Sequence, residues 1–236
     1  MVDIELTWDF GDPAGSEARF LEMIASSESA EEQALLWTQV ARTYSLRGDF
    51  GAARGFLENA DSGVHTPEVN VRIELERGRI LNSSGDAEGA VPHFSLAADR
   101  ANEAALEYLY IDALHMLAIA DANRAEEWNE LAIQTALNAE SEKARGWLGS
   151  LYNNIGWTHF DEGNPTEALR YFELGLEERL RQQKPKAIHI ARWTIARALR
   201  ELGRIDEAFA IQLELEKEDP ESEFVQEELA ALRNPG

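Results

Sequence analysis

From Trp37 to Ala60 the chain reads W-x2-V-A-x2-Y, then Gly48, then A-x3-L and Ala60, and the same skeleton returns behind Gly85, Gly163 and Gly203. Such self-similarity constrains the fold more than any single residue. One unit cannot bury its apolar face alone, so each must stack on its neighbours. In the first copy Trp37, Val40, Ala41 and Tyr44 supply an inner helix, and Ala53, Leu57 and Ala60 an outer one. The copy around Gly163 is almost as complete, with Tyr152, Ile155, Gly156 and His159, then Ala168, Phe172 and Gly175. Around Gly85 the small Gly78 and the run Ala90, Phe94, Ala97 are kept, while Glu74 and Arg77 replace apolar residues. The copy around Gly203 keeps Ile195, Ala196, Leu199 and Ala208, but carries Arg192 in place of an aromatic and Gln212 in place of a large apolar residue; its closing Pro220 is in register.

The glycines act as rulers. Gly48 and Gly85 are 37 residues apart, Gly163 and Gly203 are 40 apart, and the 78 between Gly85 and Gly163 leave room for one more copy. That copy is expected at 103–140, with an inner helix through Tyr108, Ile111, Leu114 and Leu117 and an outer one through Ala125, Trp128 and Ala132.

These interlocking small and bulky positions resemble the tetratricopeptide repeat, a helical hairpin of about 34 residues. The stretches DALHMLAIA (112–120) and WLGSLYNNIGW (147–157) are also similar to those of a bacterial subgroup of such proteins with no assigned activity. The resemblance covers residues 30 to 220. It implies an all-α, right-handed solenoid of about five hairpins, with repeats near 30–62, 67–100, 103–140, 141–183 and 185–219. A capping helix is expected at 220–233, and residues 13–236 are expected to form a single domain behind an arm, 1–12. The function it implies is a protein-interaction scaffold or adaptor. The motif specifies fold and is almost silent on chemistry.

Helix punctuation agrees. Asp12-Pro13, Thr66-Pro67, Asn164-Pro165 and Asp219-Pro220 each put a capping side chain before a proline suited to a first helical turn. Pro92 falls inside an outer helix and is expected to kink or delay it. Glu17 to Ile24, with Phe20, Leu21 and Ile24 on one face, reads as a first helix shielding the first repeat, and Phe224, Val225, Leu229 and Leu232 mark the cap. The N-terminus behaves differently: Val2, Ile4, Leu6, Trp8 and Phe10 alternate with Asp3, Glu5, Thr7 and Asp9, the period of a half-buried strand. Three fates are open to this extended arm: packing on its own helices, pairing with a second copy so that residues 1–11 make a homodimer, or lying in the groove in a ligand's place.

Composition narrows the function. With 44% hydrophobic residues in 236, the chain can bury a substantial core as a ribbon between hairpins. No apolar run reaches the length of a membrane span, and no basic region with an apolar run and cleavage site opens the chain, so a soluble cytoplasmic protein is expected. The absence of cysteine excludes disulfides and thiolate chemistry. A net charge of −22 repels phosphate backbones and anionic headgroups, which argues against nucleic acid and membrane partners. There is no H-E-x-x-H, G-x-S-x-G, G-x4-G-K-[ST] or G-x-G-x-x-G, and the five histidines are scattered. His115 and His159 sit at packing positions. No catalytic residue, metal site or cofactor is expected, and the chain reads as a binding protein.

The surface to search is the inner-helix face. Six residues before the four glycines stand Arg42, Arg79, Trp157 and Arg197, although acidic side chains outnumber basic ones by 44 to 22. The same face is expected to carry Arg72, Asn82, Asn153, Asn154, Trp193 and Arg200. Guanidinium forks suit carboxylates, Asn side chains hold extended backbones, and Trp offers a flat apolar contact. Together they compose a groove for a peptide of a partner protein, with a preference for acidic or C-terminal groups. Family members that clamp a C-terminal carboxylate use Lys, Asn and Arg on successive inner helices; here Lys143, Lys184, Lys186 and Lys217 all lie off that face. Three alternatives stand beside the peptide reading: arginines that pair with Glu76, Asp161 or Glu201, a sensor for a small anionic ligand, and a homo-oligomer built through the arm.

Overall fold

The structure, a computed structural model, describes residues 4–233, and these residues contain helices and no strand. Their contacts divide the chain into two units, 1–144 and 145–236. In the first unit α1 (Ile4–Thr7) and α2 (Pro13–Ser26) precede three hairpins. These pair α3 (Ala30–Leu46) with α4 (Phe50–Asp61), α5 (Pro67–Ser83) with α6 (Ala87–Glu103), and α7 (Glu107–Ala120) with α8 (Ala125–Asn138). A short α9 (Glu142–Arg145) stands at the boundary. The second unit holds α10 (Leu148–Asp161) with α11 (Pro165–Arg181), α12 (Pro185–Glu201) with α13 (Ile205–Glu218), and a last helix, α14 (Glu223–Arg233), packed on α13 and α12. In the first unit the inner helices also touch one another, α3 on α5 and α5 on α7.

The local chemistry explains the element ends. Gly48, Gly85, Gly163 and Gly203 all take positive φ, between 71° and 95°, where a Cβ would clash with the backbone. Asp12, Thr66 and Asn164 accept a backbone N–H from Gly15, Val69 and Glu167, with Pro13, Pro67 and Pro165 opening the helices behind them. Asp219-Pro220 departs from this expectation. Pro220 lies in a turn, and α14 begins at Glu223 after Ser222, whose carbonyl accepts from Gln226 N–H. Pro92 does not delay its helix either: α6 starts directly after Asp86 and runs through it to Glu103. In the degenerate third hairpin a 3-10 turn, Ala122–Arg124, replaces the glycine corner.

Interlocking is visible at two glycines. A Cβ on Gly78 would stand 2.4 Å from the Phe94 ring, and one on Gly156 2.5 Å from that of Phe172, and both rings are fully buried. The small residue of one helix is thus the socket for the bulky residue of the next.

The strand-like arm is not a strand. Ile4–Thr7 is one helical turn, and Val2 of the alternating run lies outside the described residues. A lone strand would leave its N–H and C=O groups without a ladder, and the described residues hold no second strand to supply one. The apolar residues therefore do not share a face: Ile4 is buried while Leu6 is 84% exposed.

Candidate interaction surface

In the first unit the inner-face arginines are already engaged. Arg79, on α5, is buried and donates both to Glu76 one turn earlier and to Asp112 on α7, 33 residues away. Arg42, on α3, stands 3.9 Å from Glu76 and lies over the rings of Trp8 and Phe10, at 5.7 and 5.4 Å. Arg72 is buried and donates to Glu68 at 2.9 Å, and Asn82 is half-buried near the end of α5. Arg42 and Arg79 each find a carboxylate on the next inner helix, so these two make ion pairs between repeats, while Arg72 pairs within α5.

Electrostatics follow from that burial. Burial and the neighbouring Arg79 lower the pKa of the Arg42 guanidinium. Burial acts to lower that of Arg79 too, but Asp112 and Glu76 more than offset it and the net shift is upward. Asp112 shows the mirror image: burial raises it, Arg79 and Arg42 lower it further, and its pKa ends below the ordinary carboxylate value. Burial lowers His115 beside them, which keeps the imidazole neutral at pH 7. Glu74 and Arg77, the departures from the skeleton in the second copy, form a second cluster. Arg77 donates to Glu74 and Asp61, each at 2.8 Å, and His93 Nδ1 lies 2.7 Å from Glu74.

The N-terminal segment packs on this unit. Trp8 stacks on Phe10, meets Phe20 edge-on and donates its indole N–H to Gln39 Oε1 at 2.9 Å. Its side chains therefore cover the start of the inner face.

In the second unit Trp157 meets Phe160, Phe172 and Trp193. Arg197 lies over Trp157, Phe160 and Trp193 at 5.2–5.4 Å, with Glu228 of α14 at 3.1 Å. Arg200 donates to the same Glu228 at 2.9 Å and stands 3.4 Å from Glu201. Asn153 and Asn154 are half-buried on α10, linked by a 3.2 Å bond from Asn153 Nδ2. His159 stacks on Tyr171, a packing role. Trp193 donates to the Phe224 carbonyl at 3.1 Å, and the two rings meet edge-on.

Glu228 was hidden in the sequence as one acid of an acidic terminal helix, and Asp112 as a polar residue in a degenerate repeat. Neither has a local motif; only repeat-scale spacing from an arginine points to them.

The structure also opens a hollow of about 920 Å³ between the N-terminal half of α12 and the start of α14. Ile190 (57% exposed), Trp193 and Phe224 (66% exposed) form its apolar wall, and Lys186, His189, Glu218, Asp219 and Glu223 its rim. Inner-face counting located Trp193 but neither Ile190 nor Phe224. Among the described residues no group of His, Asp or Glu side chains is placed to hold a metal ion, and no helix is long and apolar enough to cross a membrane.

The family model described as tetratricopeptide repeat matches residues 148–181, the hairpin of α10 and α11. No curated protein matches the chain by sequence. Solved structures share its fold. BtubC from P. vanneervenii is 16% identical, with 100% of this chain and 94% of that one covered and a TM-score of 0.62. The TPR-like repeats of a putative kinesin light chain from Podosopora anserina are 14% identical, covering 81% and 96%, at 0.57. The apo form of the quorum sensor NprR from B. thuringiensis is 14% identical at 0.63, covering 95% of this chain and 64% of that one. At such identities the likeness is one of fold.

Proposed function

We propose that this chain, whose hairpins share the fold of tetratricopeptide-repeat proteins and whose residues 148–181 match that family's model, is a protein-interaction scaffold that binds a peptide segment of a partner protein, with no catalytic step of its own. The observation that carries this reading is the hollow between α12 and α14. Exposed Ile190 and Phe224, with Trp193 between them, form an apolar wall that a polar, −22 charged chain has no evident structural need to expose. Trp157, Arg197 and Arg200 extend that face along α10 and α12, and Asn153 and Asn154 offer amide groups to an extended backbone.

Arg42, Arg72, Arg79 and Asn82 are a less ready surface. A partner would have to replace Glu68, Glu76 or Asp112 to use these arginines, and removing one member of a buried pair costs about 3–5 kcal/mol. The partner segment is therefore held chiefly in the second unit, by an apolar side chain in the hollow. The setting is proposed to be the cytoplasm.

Selection of peptides from a displayed random library tests this. Ile190→Glu and Phe224→Ser change exposed side chains and leave the core intact. Each is expected to weaken a selected peptide about tenfold or more, the scale of an interface hot spot. Selected peptides that bind both variants as tightly as the parent would remove the hollow from consideration.

A further inference from the structure

Arg179 is half-buried in the last turn of α11, and its guanidinium packs against Gly149, where an added Cβ would be 2.8 Å from Nε and 3.0 Å from Cζ. Nη2 donates to Ser150 Oγ at 2.8 Å. Among the described residues no carboxylate stands within ion-pair distance of it, although acids outnumber bases two to one. Burial alone lowers its pKa, with no nearby anion to raise it, and Lys184 in the following turn is lowered by burial and by Arg179 itself. Arg179 is thus a half-buried cation with no carboxylate beside it, and an anion placed there would be stabilised.

The corner opens into a space of about 100 Å³ lined by Gly149, Asn153, Arg179, Ala187, Ile190 and Thr194. Pockets that take whole small molecules run to about 300–1,000 Å³, so this one has room for a single group. Asn153 commits one amide N–H to Asn154 Oδ1 and has a second to give. Ile190 lines both this space and the α12–α14 hollow.

We propose that Arg179 and Asn153, with the positive charge of Lys184 in the following turn, form a binding site for one carboxylate group in the crevice between α10, α11 and α12. The guanidinium fork supplies two parallel N–H donors to the carboxylate oxygens and Asn153 a third, while Lys184 adds positive charge nearby. The source of the carboxylate rests on the function proposed above: an acidic group of the partner segment, adjacent to the apolar side chain that meets Ile190. Arg179 belongs to an outer helix, so repeat spacing along the inner helices does not reach it.

The test is an NMR titration of the full-length ¹⁵N-labelled chain with sodium acetate at constant ionic strength, with sodium chloride and sodium phosphate as parallel arms. The Arg179 Nε–H and Asn153 Nδ2 resonances are expected to move along a saturable one-site curve with acetate and not with chloride. Arg179→Gln is expected to weaken acetate about tenfold or more, the value of a charge-assisted hydrogen bond. Arg179→Lys, which keeps the charge and loses the fork, and Lys184→Gln are expected to weaken it severalfold, so the result does not depend on one variant folding. Unmoved resonances, an equal response to chloride, saturation by phosphate at lower concentration than by acetate, or an unaltered curve in Arg179→Gln would each overturn the site. None of these bears on the hollow, which is read independently at Ile190 and Phe224.

Discussion

At the scale of single residues, Asp112 on α7 is the carboxylate that ties α7 to α5. It carries no motif, yet it is buried and receives Arg79 from α5. Asp112→Asn is expected to cost about 3 kcal/mol, the low end for a broken buried pair because Arg79 retains Glu76. The pH dependence has a definite sign. The folded pKa of Asp112 is depressed, so its contribution is complete above about pH 4 and is lost as pH falls through the lower folded value. Urea unfolding from pH 7 down to pH 3 checks both: the variant should be less stable at neutral pH, and its deficit should shrink below pH 4. The residues that were legible are those whose partner is set by the repeat itself. Gly78 and Gly156 could be read as sockets because Phe94 and Phe172 recur at a fixed offset, whereas Asp112 and Glu228 could not, because a carboxylate a repeat away from an arginine looks like any other surface acid.

Among the elements, the hairpins, the first long helix and the terminal helix were legible, and the segment before α2 was not. Apolar period and glycine corners mark α3 to α6 and α10 to α13, since each helix must bury one stripe and end at a tight turn, and apolar period alone marks α7 and α8. The segment before α2 alternates like a strand, but with no neighbouring strand to bond, its polar backbone closes into a helical turn and its rings turn onto α2 and α3. Trp8→Ala removes the stack on Phe10, the edge contact with Phe20 and the bond to Gln39. A loss of about 2 kcal/mol is expected, below the 3–5 typical of a fully buried Trp. Thermal unfolding measures it, and an unchanged midpoint would contradict intramolecular packing. The dimer reading of residues 1–11 separates at the same step, because it requires the form lacking them to have half the mass of the full chain by light scattering.

For the whole molecule, inner-face charge in the first unit is largely consumed in ion pairs between helices, and the proposed recognition falls to an apolar face of α12 and α14 beside Arg179. Repeat spacing pointed to the inner helices and to Trp193, but the hollow needs Phe224 from the cap and the carboxylate site needs an outer-helix arginine. Both join residues whose proximity no single repeat encodes. Hydrogen–deuterium exchange of the full chain, with and without a peptide selected from a random library, tests this division directly. Added protection is expected in 186–193 and 222–229, with α3, α5 and α7 unchanged. Protection confined to α3, α5 and α7, with 186–193 and 222–229 exchanging as in the free protein, would contradict it.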